Sequence, residues 1–228
     1  MVLLLLVSQA IAEAVYENDV HLEKDVLTLT ILETYNLSDA LEFRQSLDTD
    51  NDSLVTEPEL TSFKRSYLAS RSSQFMEYIM VDNGNVTLYM DSISFDLYNA
   101  TGKVGQDPLY VNTTINYGIV PALGAGDHSL WVIGHPLIER MRISLPKGTI
   151  LVSHDGLDNV TIVEDGQVEL EGRSGVRNFM AGNRSTFEYA TIVDFRTPNF
   201  YEHGYVLPLL LGIELLLIMF FIFTRRKY

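Results

Sequence analysis

The chain of 228 residues contains no cysteine. That excludes a disulfide framework, a zinc–thiolate site, a thiolate-held iron–sulfur cluster and a thiol nucleophile. Basic side chains are also scarce, 16 Lys and Arg against 30 Asp and Glu, for a formal net charge of −14. A nucleic-acid partner is excluded on that ground, because no basic surface is available to release counterions from phosphates. There is one Trp, and there is no G-x-S-x-G elbow, P-loop or dinucleotide fingerprint. The five histidines, His21, His128, His135, His154 and His203, form neither an H-E-x-x-H motif nor any i, i+4 pair. No catalytic and no organic cofactor-binding residues are therefore assigned. What the chain does have is 46% hydrophobic residues, enough for a folded domain with a real core.

The two ends carry the apolar runs. Residues 2–7 are apolar and Ala12-Glu13-Ala14 fits a small-residue cleavage pattern, so residues 1–14 are expected to be a signal peptide. Residues 206–223 are apolar except for Pro208, Gly212 and Glu214, and the basic cluster Arg225-Arg226-Lys227 follows. At about 1.5 Å per residue such a stretch covers most of a ~30 Å hydrocarbon core, and flanking cations belong on the cytoplasmic side. The expectation is a single-pass type I membrane protein: transmembrane helix 205–224, cytoplasmic tail 225–228, ectodomain outside the cytoplasm. Glu214, inside that span, would meet a polar group on a membrane-protein partner. Seven Asn-x-Ser/Thr sequons, at Asn36, Asn51, Asn85, Asn99, Asn112, Asn159 and Asn183, fit an exported surface. Export without disulfides points to a prokaryotic source.

One motif carries chemistry. Residues 48–59 read Asp-Thr-Asp-Asn-Asp-Ser-Leu-Val-Thr-Glu-Pro-Glu. Calcium takes six to eight oxygen ligands, and a twelve-residue loop wraps the ion when oxygens fall at positions 1, 3, 5, 7, 9 and 12. Those positions are Asp48, Asp50, Asp52, the Leu54 carbonyl, Thr56 and Glu59, the last a bidentate carboxylate. Ser38 reads as an N-cap for an entering helix with an apolar stripe of Ala40, Phe43 and Leu47. Leu60, Phe63 and Tyr67 form the stripe of an exiting helix, with Pro58 in its first turn. This helix–loop–helix resembles the EF-hand family, which implies Ca²⁺ as ligand. The loop departs from the family at position 6, where Ser53 replaces a glycine at a site needing positive φ, at a cost of roughly 1 kcal/mol. No second loop is found, so Val55 at position 8 needs a pairing partner from elsewhere. The expected affinity is of the extracellular type, ~10⁻⁴–10⁻³ M.

From residue 76 the period changes to two. Residues 78–81 and 86–90 flank Asp82-Asn83-Gly84-Asn85 and predict a hairpin. Further strands are expected at 92–98, 109–120, 130–133, 142–145, 150–153, 160–163, 167–170 and 186–195, with an earlier one at 26–32. The fold class is therefore α+β: a mainly antiparallel β sandwich or open barrel with one helix–loop–helix, plus the C-terminal transmembrane helix. Residues 15–75 would hold the first strand and the helical pair, and 76–204 the β-rich domain packed with it. The function expected is that of a membrane-anchored extracytoplasmic calcium-binding protein with a binding, adhesion or accessory-subunit role. The alternatives are a cell-surface hydrolase with structural calcium and an ectodomain that senses for a membrane partner.

Overall fold

The computed structural model describes residues 14–181, 184–199, 202 and 206–225. Among these described residues, three sheets and three α-helices form. In chain order the strands are β1 (Val15–Leu22), β2 (Val26–Tyr35), β3 (Leu54–Val55), β4 (Ile79–Val81), β5 (Thr87–Tyr98), β6 (Gly102–Lys103) and β7 (Leu109–Val120). There follow β8 (Gly126–Ile133), β9 (Ile138–Ser144), β10 (Ile150–Asp155), β11 (Leu157–Glu164), β12 (Val168–Ser174), β13 (Val176–Ala181) and β14 (Arg184–Thr197). Helices α1 (Leu37–Leu47) and α2 (Glu57–Arg71) lie between β2 and β4, and α3 covers Val206–Arg225.

A seven-stranded sheet has the order β11-β12-β9-β1-β2-β7-β5, and a second sheet the order β10-β14-β8-β4, with β13 paired to β14. Pairing is antiparallel throughout except for β1 beside β9. Alternation along the long strands sets one apolar face inward. Val20, Leu29, Ile115 and Tyr117 of the large sheet meet Leu130, Val132, Val193 and Phe195 of the smaller one in a single buried cluster. The architecture is thus β-rich and consistent with a sandwich.

The two layers differ in length at the edge of the second sheet formed by β4 and β8. Strands β2, β5 and β7 run 10, 12 and 12 residues, whereas β4 and β8 run 3 and 8. The second sheet therefore cannot cover the whole inner face of the first. The uncovered end, Phe95, Leu97, Leu109 and Val111, forms a second buried cluster with Ala40 and Leu47 of α1, Val55, and Leu60 of α2. The helical pair completes the sandwich where the second sheet runs out.

Docking of that pair centres on Arg44, only 3% exposed on the inward stripe of α1. Its guanidinium donates to the carbonyls of Asn99 (2.6 Å), Asp107 (2.6 Å) and Gly105 (3.0 Å). A rigid planar fork satisfies several carbonyls at once in a way an ammonium cannot.

Segments 79–81 and 87–98 do not form a hairpin: β4 pairs with β8 in one sheet and β5 with β7 in the other. The Asn-Gly step does adopt positive φ, but the Asp82 carboxylate accepts from the Ser129 N–H (2.9 Å) and meets the His128 ring (2.8 Å), pinning the turn to β8. The stretches expected at 86–90 and 92–98 belong to one strand, interrupted by a bulge between Met90 and Ser92. Helix α1 is capped at Asn36 rather than Ser38. The transmembrane helix expected at 205–224 is not supported, because among the described residues no helix is long and apolar enough to cross a membrane. Helix α3 carries Pro208, Gly212 and Glu214 within its apolar sequence. The single-pass type I localisation in the cell membrane falls with it. The signal-peptide expectation lies outside the described residues, which begin at Ala14.

Replacing Arg44 by Met keeps the apolar stem but leaves buried carbonyls without a donor. Urea denaturation is expected to show a loss of roughly 3 kcal/mol. Arg44→Lys should recover only part of it, and a neutral Arg44→Met would show that the guanidinium does not hold the helices in place.

Candidate metal centre

Helix α1 stops at Asp48, whose N–H still bonds the Arg44 carbonyl at 3.0 Å, and α2 starts after Thr56. Between them the chain curls around its own carboxylates. Asp48 accepts from the N–H groups of Asp52 (3.1 Å) and Ser53 (2.9 Å), one on each oxygen. Asp50 accepts from the Asp52 N–H (3.2 Å) and Asp52 from the Leu54 N–H (2.8 Å). Two residues take positive φ to make this curl, Asn51 at 59° and Ser53 at 68°. The loop adopts at Ser53 the left-handed conformation expected there, even without glycine.

The result is a converging triad. Asp48, Asp50 and Asp52 each offer a carboxylate oxygen, and the three atoms lie within 4.8 Å of one another. Asp48 is buried, the other two exposed. No Lys or Arg among the described residues makes an ion pair with any of them. At Asp50 the hydrogen bond from the Asp52 N–H lowers the pKa, yet desolvation and the neighbouring charges of Asp52, Glu59 and Asp48 outweigh it and leave it raised. Such mutual repulsion favours a cation among the three.

Glu59 stands apart from the triad. One of its oxygens accepts from the Thr49 N–H (2.7 Å) and hydroxyl (2.9 Å), the other from the Thr56 N–H (2.9 Å) and hydroxyl (2.8 Å). The Thr56 N–H bond is one half of a capping box at the start of α2, whose other half is the Glu59 N–H donating to the Thr56 side chain. In this conformation Glu59 clamps the two ends of the loop together, and direct ligation would exchange those bonds for the ion. Thr56 is occupied as the cap. Leu54 places its backbone in β3 with its side chain 45% exposed.

The partner that Val55 needed comes from within the chain. Strand β3 pairs with β6, Leu54 opposite Lys103 and Val55 opposite Gly102, and the Val104 N–H donates to the Ser53 carbonyl at 3.0 Å. Gly102 has φ +103°, open only to glycine at low cost. Val55 itself is 2% exposed in the core beneath the helices. Residues 99–107, which carry β6, are the segment that Arg44 holds through its carbonyls. Sequence reasoning missed Arg44, although a cation at i+4 from Ala40 on an apolar stripe is a visible anomaly. Of the histidines, His128 is committed to Asp82 and the Gly124 carbonyl, and His135 packs edge-on to Tyr16.

Comparison with known proteins finds no matching family model and no matching curated protein.

The hydrogen bonds from Thr56 and Thr49 lower the Glu59 pKa to about 2 from an ordinary 4.5. A carboxyl with a depressed pKa stabilises the fold above its unfolded value and loses that contribution as pH falls. Between pH 4.5 and 2 the wild type should therefore lose stability relative to Glu59→Gln. Carboxyl carbon shifts in an NMR titration should show Glu59 ionised down to about pH 2, and a midpoint near the ordinary value would contradict the clamp.

Proposed function

We propose that the chain is a calcium-binding protein in which an ion held by the 48–59 loop fixes a helical pair onto a β-sandwich, and that its role is binding rather than signalling through the ion. The reading rests on one observation above all: three aspartates at loop positions 1, 3 and 5 bring their oxygens within 4.8 Å of one another. A hard divalent cation with oxygen ligands is what such a set suits. The resemblance of the twelve-residue loop and its flanking helices to the EF-hand family supports the same choice.

Asp48, Asp50 and Asp52 would hold the ion, with the Leu54 carbonyl and Thr56 completing the shell and Glu59 available on release of its threonine partners. Calcium there would supply charge neutralisation. The chain's own part is to orient the carboxylates through the loop N–H groups and to brace the loop against β6. With that bracing already in place, ion binding has little conformational change to drive, which suits a structural ion better than a sensor.

Calorimetric titration of calcium into the full chain should show one site with Kd ~10⁻⁴–10⁻³ M. Asp50→Asn removes one carboxylate without altering shape and should weaken binding at least about ten-fold, since a charged hydrogen-bonding or ligating group is worth roughly 1.5–3 kcal/mol. Calcium at ten times Kd should add about 1.4 kcal/mol to stability. No heat of binding together with calcium-independent melting would reduce the loop to an acidic connection between two helices.

A further inference from the structure

A cavity of about 480 Å³ opens at the seam where the second sheet ends and the helical pair begins. Its volume falls in the range of small-molecule sites. The floor is two adjacent rungs of the large sheet. Asn18, Ile31, Thr113 and Phe95 lie side by side across β1, β2, β7 and β5, and Tyr16, Glu33 and Val111 occupy the next rung. Further along the same face the positions are Val20, Leu29 and Ile115, all apolar and buried. Polar residues thus interrupt an inward apolar face where the cavity lies.

Two of these polar groups, Asn18 and Thr113, have atoms not satisfied internally. Asn18 is 5% and Thr113 1% exposed. The Asn18 Oδ1 and the Thr113 hydroxyl find no hydrogen-bond partner among the described residues. Buried polar atoms of that kind are rare and cost free energy unless something bonds to them. Glu33 accepts from the Tyr35 hydroxyl at 2.5 Å and makes no ion pair among the described residues. Burial pushes its pKa up, against the opposing effects of the Tyr35 hydrogen bond and the Arg71 charge.

The walls are aromatic. The Tyr35 ring lies 4.8 Å from that of Phe43 on α1, and Tyr67 on α2 stacks on Phe95 at 4.2 Å. The Arg71 guanidinium sits 5.4 Å from the Tyr67 centroid at the exposed rim, so one of these π faces already carries a cation. What the interior offers is a carboxylate with no ion pair among the described residues, an amide oxygen with no partner among them, and ring faces. All three are complementary to a positively charged hydrogen-bond donor.

We propose that this cavity binds a small organic amine in its ammonium form, with the nitrogen on Glu33 and Asn18 and the apolar body against the tyrosine and phenylalanine rings. Thr113 accepts a further N–H or a bridging water. The site shares no residue with the 48–59 loop, so it stands whether or not that loop holds calcium.

The test is calorimetric titration of 2-phenylethylamine into the full chain in EDTA, beside its N-acetyl derivative, which keeps the ring and removes the charge. One-site binding of the amine is expected, weakened about ten-fold or more by acetylation. Glu33→Gln keeps the shape and the acceptor for Tyr35, and should weaken the amine about as much. Thr113→Val, nearly isosteric, should weaken it several-fold while leaving the melting temperature unchanged or higher. Equal binding of amine and amide would overturn the proposal. So would failure of 2-phenylethylamine, tryptamine and cyclohexylamine alike to bind, or binding of methyl glucoside in their place.

Discussion

A single buried guanidinium organises one end of this molecule. Arg44 reaches from α1 into the 99–107 segment and donates to at least three of its carbonyls. Burying a charge without a counter-ion is costly, and carbonyl dipoles aimed at it are the means of meeting that cost. The arrangement sets the path of a loop that would otherwise have few constraints of its own. On that path lie Gly102 and Lys103, which pair with Leu54 and Val55. The acidic loop is thereby braced from outside the helical pair.

A second constraint is the shortness of β4 and β8 beside the long strands of the large sheet. The large sheet presents an inner face longer than β4 and β8 can cover, and an exposed apolar remainder would invite association. Helices α1 and α2 cover it, anchored by Leu47, Val55 and Leu60. A sheet and a helical pair do not close against each other as two sheets do. Their junction leaves the cavity floored by Asn18, Glu33 and Thr113. The two candidate sites thus share an origin, since both arise from adding a helical pair to an incomplete sandwich.

Much of the acidic loop was legible because its determinants are local. Ligand spacing, the 3.6-residue stripes of α1 and α2 and the proline in the first turn of α2 are all read within about thirty residues. Strand β7 was read with its ends, residues 109–120, because period-two alternation runs through it from Leu109 to Tyr117. Strand β1 was not, because Val15–Leu22 carries Glu17, Asn18, Asp19 and His21. Its polar residues face either the outer surface or the cavity, so the alternation that marks a strand is lost. The bulge after Met90 hid the continuity of β5 in the same way, by shifting the phase of the pattern.

By itself, then, the sequence determined the helix–loop–helix, the β-rich class and the exclusion of thiol chemistry, since each depends on residue type at short spacing. It did not determine pairing. The Asn-Gly turn has the φ values that its residues demand, yet the strands on either side enter different sheets, because partner choice is settled by burial and by contacts such as Asp82 to Ser129. Hydropathy at the C-terminus suggested a membrane span that the described helix does not support. The spacing of the loop marks Glu59 as a ligand position but does not reveal that its carboxylate also accepts from Thr49 and Thr56. Arg44, the β3–β6 pairing and the cavity at the seam join residues far apart in the chain, and only tertiary structure decides which distant groups meet.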